Sequence, residues 1–237
     1  MFYTSNKFWV ETGADIITTI LDYLEVKVSK DEMEDFISQR EYLNEDVNDN
    51  YEPIYINLAK AWEIVRVLVL KIKEHKTDKT KISEGWLYDE IILLYKTLDP
   101  TNRYLSMFEG KTSESKKFIG LLDSFIERIS LTETVEPLLE FLGVAFIELL
   151  ITKDLGELTG IYFWFMLECV LISRGYGPII ITEKSELRYI FGLQEKITIE
   201  IKKYLLKDFS NLKQFREVVN FWTNKIELFR MEKINLY

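Results

Sequence analysis

The stretch FIELLITKDLGELTGIYFWFMLECVLISRGYGPIII, residues 146–181, decides the architecture. It reads as the end of one apolar helix, a short polar turn, a second apolar helix and a glycine–proline stop. Gly175 and Gly177 supply the positive φ that ends a helix, and Pro178 prevents its continuation. Tyr162, Phe163, Trp164 and Phe165 cover all sides of the second helix, which marks it as buried all round. Two oily helices joined by a turn form a core hairpin, and the rest of the chain has to wrap it.

Working outward, most segments carry helical period. Ile16, Ile17, Ile20, Leu21 and Leu24 recur at three- and four-residue steps, with Thr12 or Asp15 as the expected start. Residues 31–52 hold nine acids against one base, Arg40, and end at Pro53, which opens the next helix. Leu58, Trp62, Val65, Val69 and Ile72 stripe a long helix over 54–76, and a polar break follows from His75 to Thr80. Ser83 begins a further helix striped by Trp86, Leu87, Ile91, Leu94 and Leu98 and stopped by Asp99-Pro100. Residues 104–117 have little period and predict a loop or short β-hairpin. Residues 118–129 are helical. Thr132 to Pro137 caps the first helix of the core hairpin, with Thr134 as its N-cap. Ile179 to Ile181 is a short β-type run, and two amphipathic helices over 183–207 and 211–231 close the chain. The expectation is one mostly α-helical domain over 1–237.

Composition bounds the chemistry. Of 237 residues, 10 are Gly and 4 Pro, too few for a loop-rich β protein. The net charge of −9 disfavours nucleic acid as a partner, because phosphate neutralisation needs clustered Lys and Arg. The run Lys202, Lys203, Lys207, Lys213, Arg216 reads as a solvated face. Cys169 and His75 are each the only residue of their type, which removes disulfides, thiolate clusters, His-based zinc sites and Cys–His dyads within one chain. Asp46, Asn48 and Asn50 follow the opening of a calcium loop, but Tyr51 stands for its glycine and Asn57 for its final acid, so no metal is expected. The first fifteen residues lack the basic-then-apolar order of a signal peptide. The apolar runs 141–151 and 161–172, interrupted by Glu148 and Glu168, read as too short for a bilayer. A cytoplasmic chain with no membrane partner is expected.

The order of these parts resembles the Fic (filamentation induced by cAMP) family over about 54–190. Its members usually transfer AMP to a hydroxyl of a target protein, through the signature H-P-F-x-D/E-G-N-G-R-x-x-R set between two buried helices. Pro137-Leu138-Leu139, Phe146 and Leu149 match the lead-in helix, and Gly175-Tyr176-Gly177-Pro178-Ile179-Ile180 matches the exit run. The resemblance places residues 104–117 where the family carries its target-docking flap. The signature itself is degenerate. Its histidine position is Leu150, which cannot take a proton. Its two arginine positions are Leu158 and Ile161, and Glu157 puts a negative charge at the anion site. Thr80 to Gly85 fits the family's inhibitory string S/T-x-x-x-E-G/N, but the arginine that string would clamp is Ile161, and the match reads as coincidence.

The resemblance therefore implies a catalytically inactive relative, with no catalytic residue, cofactor or metal, acting by binding another protein. Asp154, Gly156, Glu157, Thr159 and Gly160 are the residues of the vestigial loop, and Glu168 is a buried acid that either anchors a vestigial pocket or pairs with Arg174 or a lysine. The flap region and the acidic segment 31–52 are the expected contacts, and the two closing helices the expected place of self-association. The alternative is an enzyme that keeps a nucleotide or phosphorylated ligand in the old cleft, using Asp154, Glu157 or Glu168. A helical toxin acting on RNA is disfavoured by the charge and the lack of a histidine base.

Overall fold

The computed structural model describes residues 1–44, 46–75, 87–130, 134–206 and 208–237. The polar break 76–80, the expected helix start at Ser83 with Trp86, the string 80–85, Thr132 and Lys207 lie outside them. Ten α-helices and no strand occur among the described residues, so the all-α expectation holds. They are α1 (Asn6–Tyr23), α2 (Lys30–Ser38), α3 (Val47–Asn50), α4 (Pro53–His75), α5 (Tyr88–Leu98), α6 (Ser113–Ser130), α7 (Val135–Thr152), α8 (Thr159–Arg174), α9 (Lys184–Tyr204) and α10 (Lys213–Glu232).

The core hairpin is α7 and α8, and the other helices pack around it. α4, α5, α6 and α7 all rest on α8, and α10 rests on α7. Tyr162, Phe163 and Phe165 are buried, as are Leu58, Trp62, Val65, Val69 and Ile72 of the α4 stripe. Residues 156–174 are long and apolar enough by length and composition to cross a bilayer, contrary to the sequence expectation, yet 67% of that window is buried against protein, as a core helix would be.

Three expectations need correction. α1 starts at Asn6, well before Thr12 or Asp15, because Phe8 and Trp9 already belong to the core-facing stripe. Of the two alternatives for residues 104–117, the hairpin does not form and the loop extends only to residue 112. A 3-10 turn at Leu105–Glu109 ends in left-handed Gly110, and α6 begins at Ser113. Phe108 and Phe118 meet edge to face at 5.1 Å, and that contact folds the segment back onto α8 without a second strand. The run Ile179–Ile181 forms no strand and joins no ladder. It is bound to α1 by the Thr19 hydroxyl, which donates to the Ile181 carbonyl at 2.6 Å.

The acidic segment caps its own helix. Ser29 and Glu32 form a capping box at the start of α2. Asp46 to Asn50 is largely the short α3, and no acid, His or Cys cluster suited to a metal occurs among the described residues.

The two ends of the fold are tied together. Asp15, only 5% exposed, pairs with Lys30 at 2.6 Å and with Lys233 at 3.1 Å. The Tyr237 hydroxyl donates to Glu11 at 2.8 Å. Nearby, α1 and α4 meet at Gly13, where a Cβ would lie 2.4 Å from Nε1 of Trp62. That indole donates to the Trp9 carbonyl at 2.8 Å. Gly13→Ala gains helix propensity but overpacks the contact and breaks the indole bond, for a net loss of about 2 kcal/mol in urea unfolding. A variant as stable as the parent would show that the two helices can separate freely.

Candidate functional site

The turn between α7 and α8 is built from its own polar groups. Lys153 ends α7 in the left-handed conformation, φ 53°, with its N–H on the Leu149 carbonyl at 2.8 Å. Asp154 accepts the Thr152 hydroxyl at 2.9 Å. Leu155 is fully buried and pins the turn to the core. Thr159 closes it: its hydroxyl accepts the Leu155 N–H at 2.9 Å and donates to the Gly156 carbonyl at 2.8 Å. The Gly156 N–H goes to the Lys153 carbonyl at 2.8 Å. Two N–H groups of the turn are thus consumed inside it.

Gly156 has a positive φ of 61°, and a Cβ there would lie 2.6 Å from the Tyr104 hydroxyl. The glycine is required both by the backbone and by the ring that covers it. Tyr104 is held by a buried network after α5. Asp99 accepts the Tyr95 hydroxyl at 2.7 Å and the N–H groups of Thr101 and Arg103 at 3.1 Å, and the Tyr95 oxygen accepts the Tyr104 N–H at 2.6 Å. The hydrogen bonds from Thr101, Tyr95 and the Arg103 N–H hold the Asp99 carboxyl below its ordinary pKa, although its burial opposes them.

Beside this turn lies a groove of about 420 Å³ between α1, the α7–α8 hairpin, the 179–181 run and α9. Its walls are Ile16 and Ile20 from α1 and Leu24 just after it, Phe146 and Leu150 from α7, Ile161 and Trp164 from α8, Ile179 and Ile181, and Leu187, Ile190 and Phe191 from α9. Polar residues also line it: Thr19 and Thr159, which are buried, and Tyr23, Lys153, Glu157, Gln194 and Glu195. Leu150 and Gly160 face each other so closely that a Cβ on the glycine would sit 3.1 Å from the leucine methyl. Lys153 and Glu157 pair at 3.4 Å in full view of solvent, the Glu157 side chain being 93% exposed.

Of the residues singled out in the sequence, Gly156, Glu157, Thr159 and Gly160 line the groove together with Leu150 and Ile161. Asp154, Leu158 and Glu168 do not. Glu168 is fully buried on α8, and both its oxygens lie 3.2 Å from the Ile179 N–H. Burial pushes its carboxyl well above the ordinary carboxylate pKa, and the Ile179 N–H offsets only part of that. It pairs with neither Arg174 nor a lysine among the described residues. Arg174 donates to the Arg128 carbonyl at 2.7 Å. Glu168 therefore anchors the backbone of the 179–181 run through the Ile179 N–H. Cys169 is buried, and desolvation raises its thiol to about 12, so it is inert.

Sequence reasoning missed the α1 and α9 walls. Their apolar stripes were visible, but nothing in either helix says that part of each stripe is left uncovered. The Tyr104–Gly156 contact carried no signal either.

The fold and the groove define an all-helical protein with a preformed apolar recess at the tip of its central hairpin. Comparison with protein-family models, with curated proteins and with solved structures finds no match.

Proposed function

We propose that this chain is a non-catalytic binding protein of Fic-like plan, which receives an apolar element of another protein in the groove beside the α7–α8 turn. One observation carries the reading. Where chemistry would need a base and two cations, the groove presents Leu150 and Ile161, with Leu158 set outside it. Leucine and isoleucine neither move a proton nor hold a phosphate. The turn N–H groups of Leu155 and Gly156 are already spent on Thr159 and Lys153, so they offer a phosphate nothing. The recess falls within the size of small-molecule and side-chain pockets, roughly 300–1,000 Å³, and its walls are mostly aliphatic and aromatic.

The test is a titration with an uncharged naphthalene dye beside a thermal-shift series with ATP and ADP-ribose, each with and without magnesium. The dye gains fluorescence on the parent chain and loses that gain in Ile161→Trp, which fills the recess. The nucleotides leave the melting temperature unchanged within about 1 °C. A magnesium-dependent rise of about 3 °C or more would sink the reading and favour a nucleotide enzyme. Dye binding indifferent to Ile161→Trp would also sink it.

A further inference from the structure

We infer that the groove's occupant is a basic amphipathic helix of a partner protein, seated apolar face down; this rests on the reading of the groove as a recognition site. The two long walls have the right length. Ile16 and Ile20 rise along α1 to Leu24 at its C-terminal cap, and α9 contributes lining from Leu187 to Glu195. Each stripe spans about 12 Å, two helical turns, which is the reach of anchors at i, i+4 and i+7 of a docked helix. The apolar surface also runs past the recess. Tyr23 and Leu24 are 44% and 41% exposed at its lip. A helix lying along α1 covers both over their whole exposed area, which an occupant confined to the recess does not.

The charge at the lip selects the partner's sign. Glu157 and Glu195 are exposed there against one lysine among the described residues, Lys153, which pairs with Glu157, so the lip keeps a net negative charge at Glu195. The whole chain carries −9. Fatty acids, nucleotides and acidic helices meet repulsion, while Lys and Arg flanking an apolar face meet complementary charge. Such an acidic lip contributes more to association rate and partner choice than to raw affinity, so binding must fall with added salt.

The experiment uses fluorescein-labelled amphipathic peptides of about 18 residues, one of leucine and lysine and one with glutamate in every lysine position, read by anisotropy at low and high salt. The Leu–Lys peptide binds, and the Leu–Glu peptide is at least about tenfold weaker. Glu157→Lys combined with Glu195→Lys weakens the Leu–Lys peptide about tenfold. Asp49→Lys, on α3 and outside the groove lining, changes it less than about twofold, which separates the lip from bulk charge. Ile161→Trp abolishes binding, with circular dichroism confirming that each variant is folded. Equal binding of the two peptides overturns the inference, as does a parent-like affinity in either the double-lysine or the tryptophan variant. If the naphthalene dye still occupies the groove while no peptide does, the groove stands as a site and only the helical partner is refuted. If neither binds, both readings fall.

Discussion

Gly177→Ala is expected to destabilise the protein by about 3 kcal/mol, combining left-handed strain with overpacking. Gly177 sits at φ +101°, where an L side chain is strained whatever space it has, and a Cβ there would lie 2.4 Å from the Phe229 ring. Phe229 cannot step aside cheaply. It is 3% exposed, meets Phe2 and Phe8 edge to face, and stacks on Tyr237. The effect is measured as a shift in the urea midpoint. Shrinking the ring in a Gly177→Ala, Phe229→Leu chain should return about 1 kcal/mol relative to the sum of the single variants, because the clash is shared. Strict additivity would show that backbone strain acts alone. The substitution also moves the 179–181 run, so the groove should lose its dye along with stability.

The second large effect belongs to Glu168. Glu168→Ala leaves the Ile179 N–H buried without an acceptor and opens a cavity, for a loss of about 3 kcal/mol. Glu168→Gln keeps an acceptor and cannot ionise, and it exposes the pH linkage. The folded chain holds the carboxyl proton above the pH at which the unfolded chain releases it, because burial raises the native pKa well above its ordinary value. Stability from this site is therefore complete below about pH 4.3 and declines as pH rises toward the native pKa, by up to about 1.4 kcal/mol per unit. Urea unfolding followed upward from about pH 4, the ordinary glutamate value, should show that decline in the parent and lose it in Glu168→Gln. Parallel curves for the two chains would place the ionisation elsewhere.

The core was legible in the sequence because its signals are local and redundant. Tyr162 to Phe165 reads as buried from all sides, and Gly175 with Gly177 marks the helix stop through backbone sterics that no neighbour can reverse. The hairpin alternative for residues 104–117 failed for the opposite reason. With few apolar residues and no period, their conformation is set by Phe108 and Tyr95, whose partners lie on other helices. The site was half legible. Leu150, Glu157, Gly160 and Ile161 stood out by what they are, but the opposite wall exists only because α1 and α9 stop short of closing over Ile20 and Phe191. Glu168 was rightly singled out as an unusual acid, but its partner is a backbone N–H eleven residues away, and a backbone partner leaves no trace in residue type.

The Asp15 carboxylate, held by Lys30 and by Lys233 across 218 residues of chain, has a consequence for cooperativity. Its ion pair with Lys30 is local, whereas the one with Lys233 closes only when the segment after α10 packs against α1. Fraying of that segment takes from a buried carboxylate one of its two cations, so α1 loosens with it.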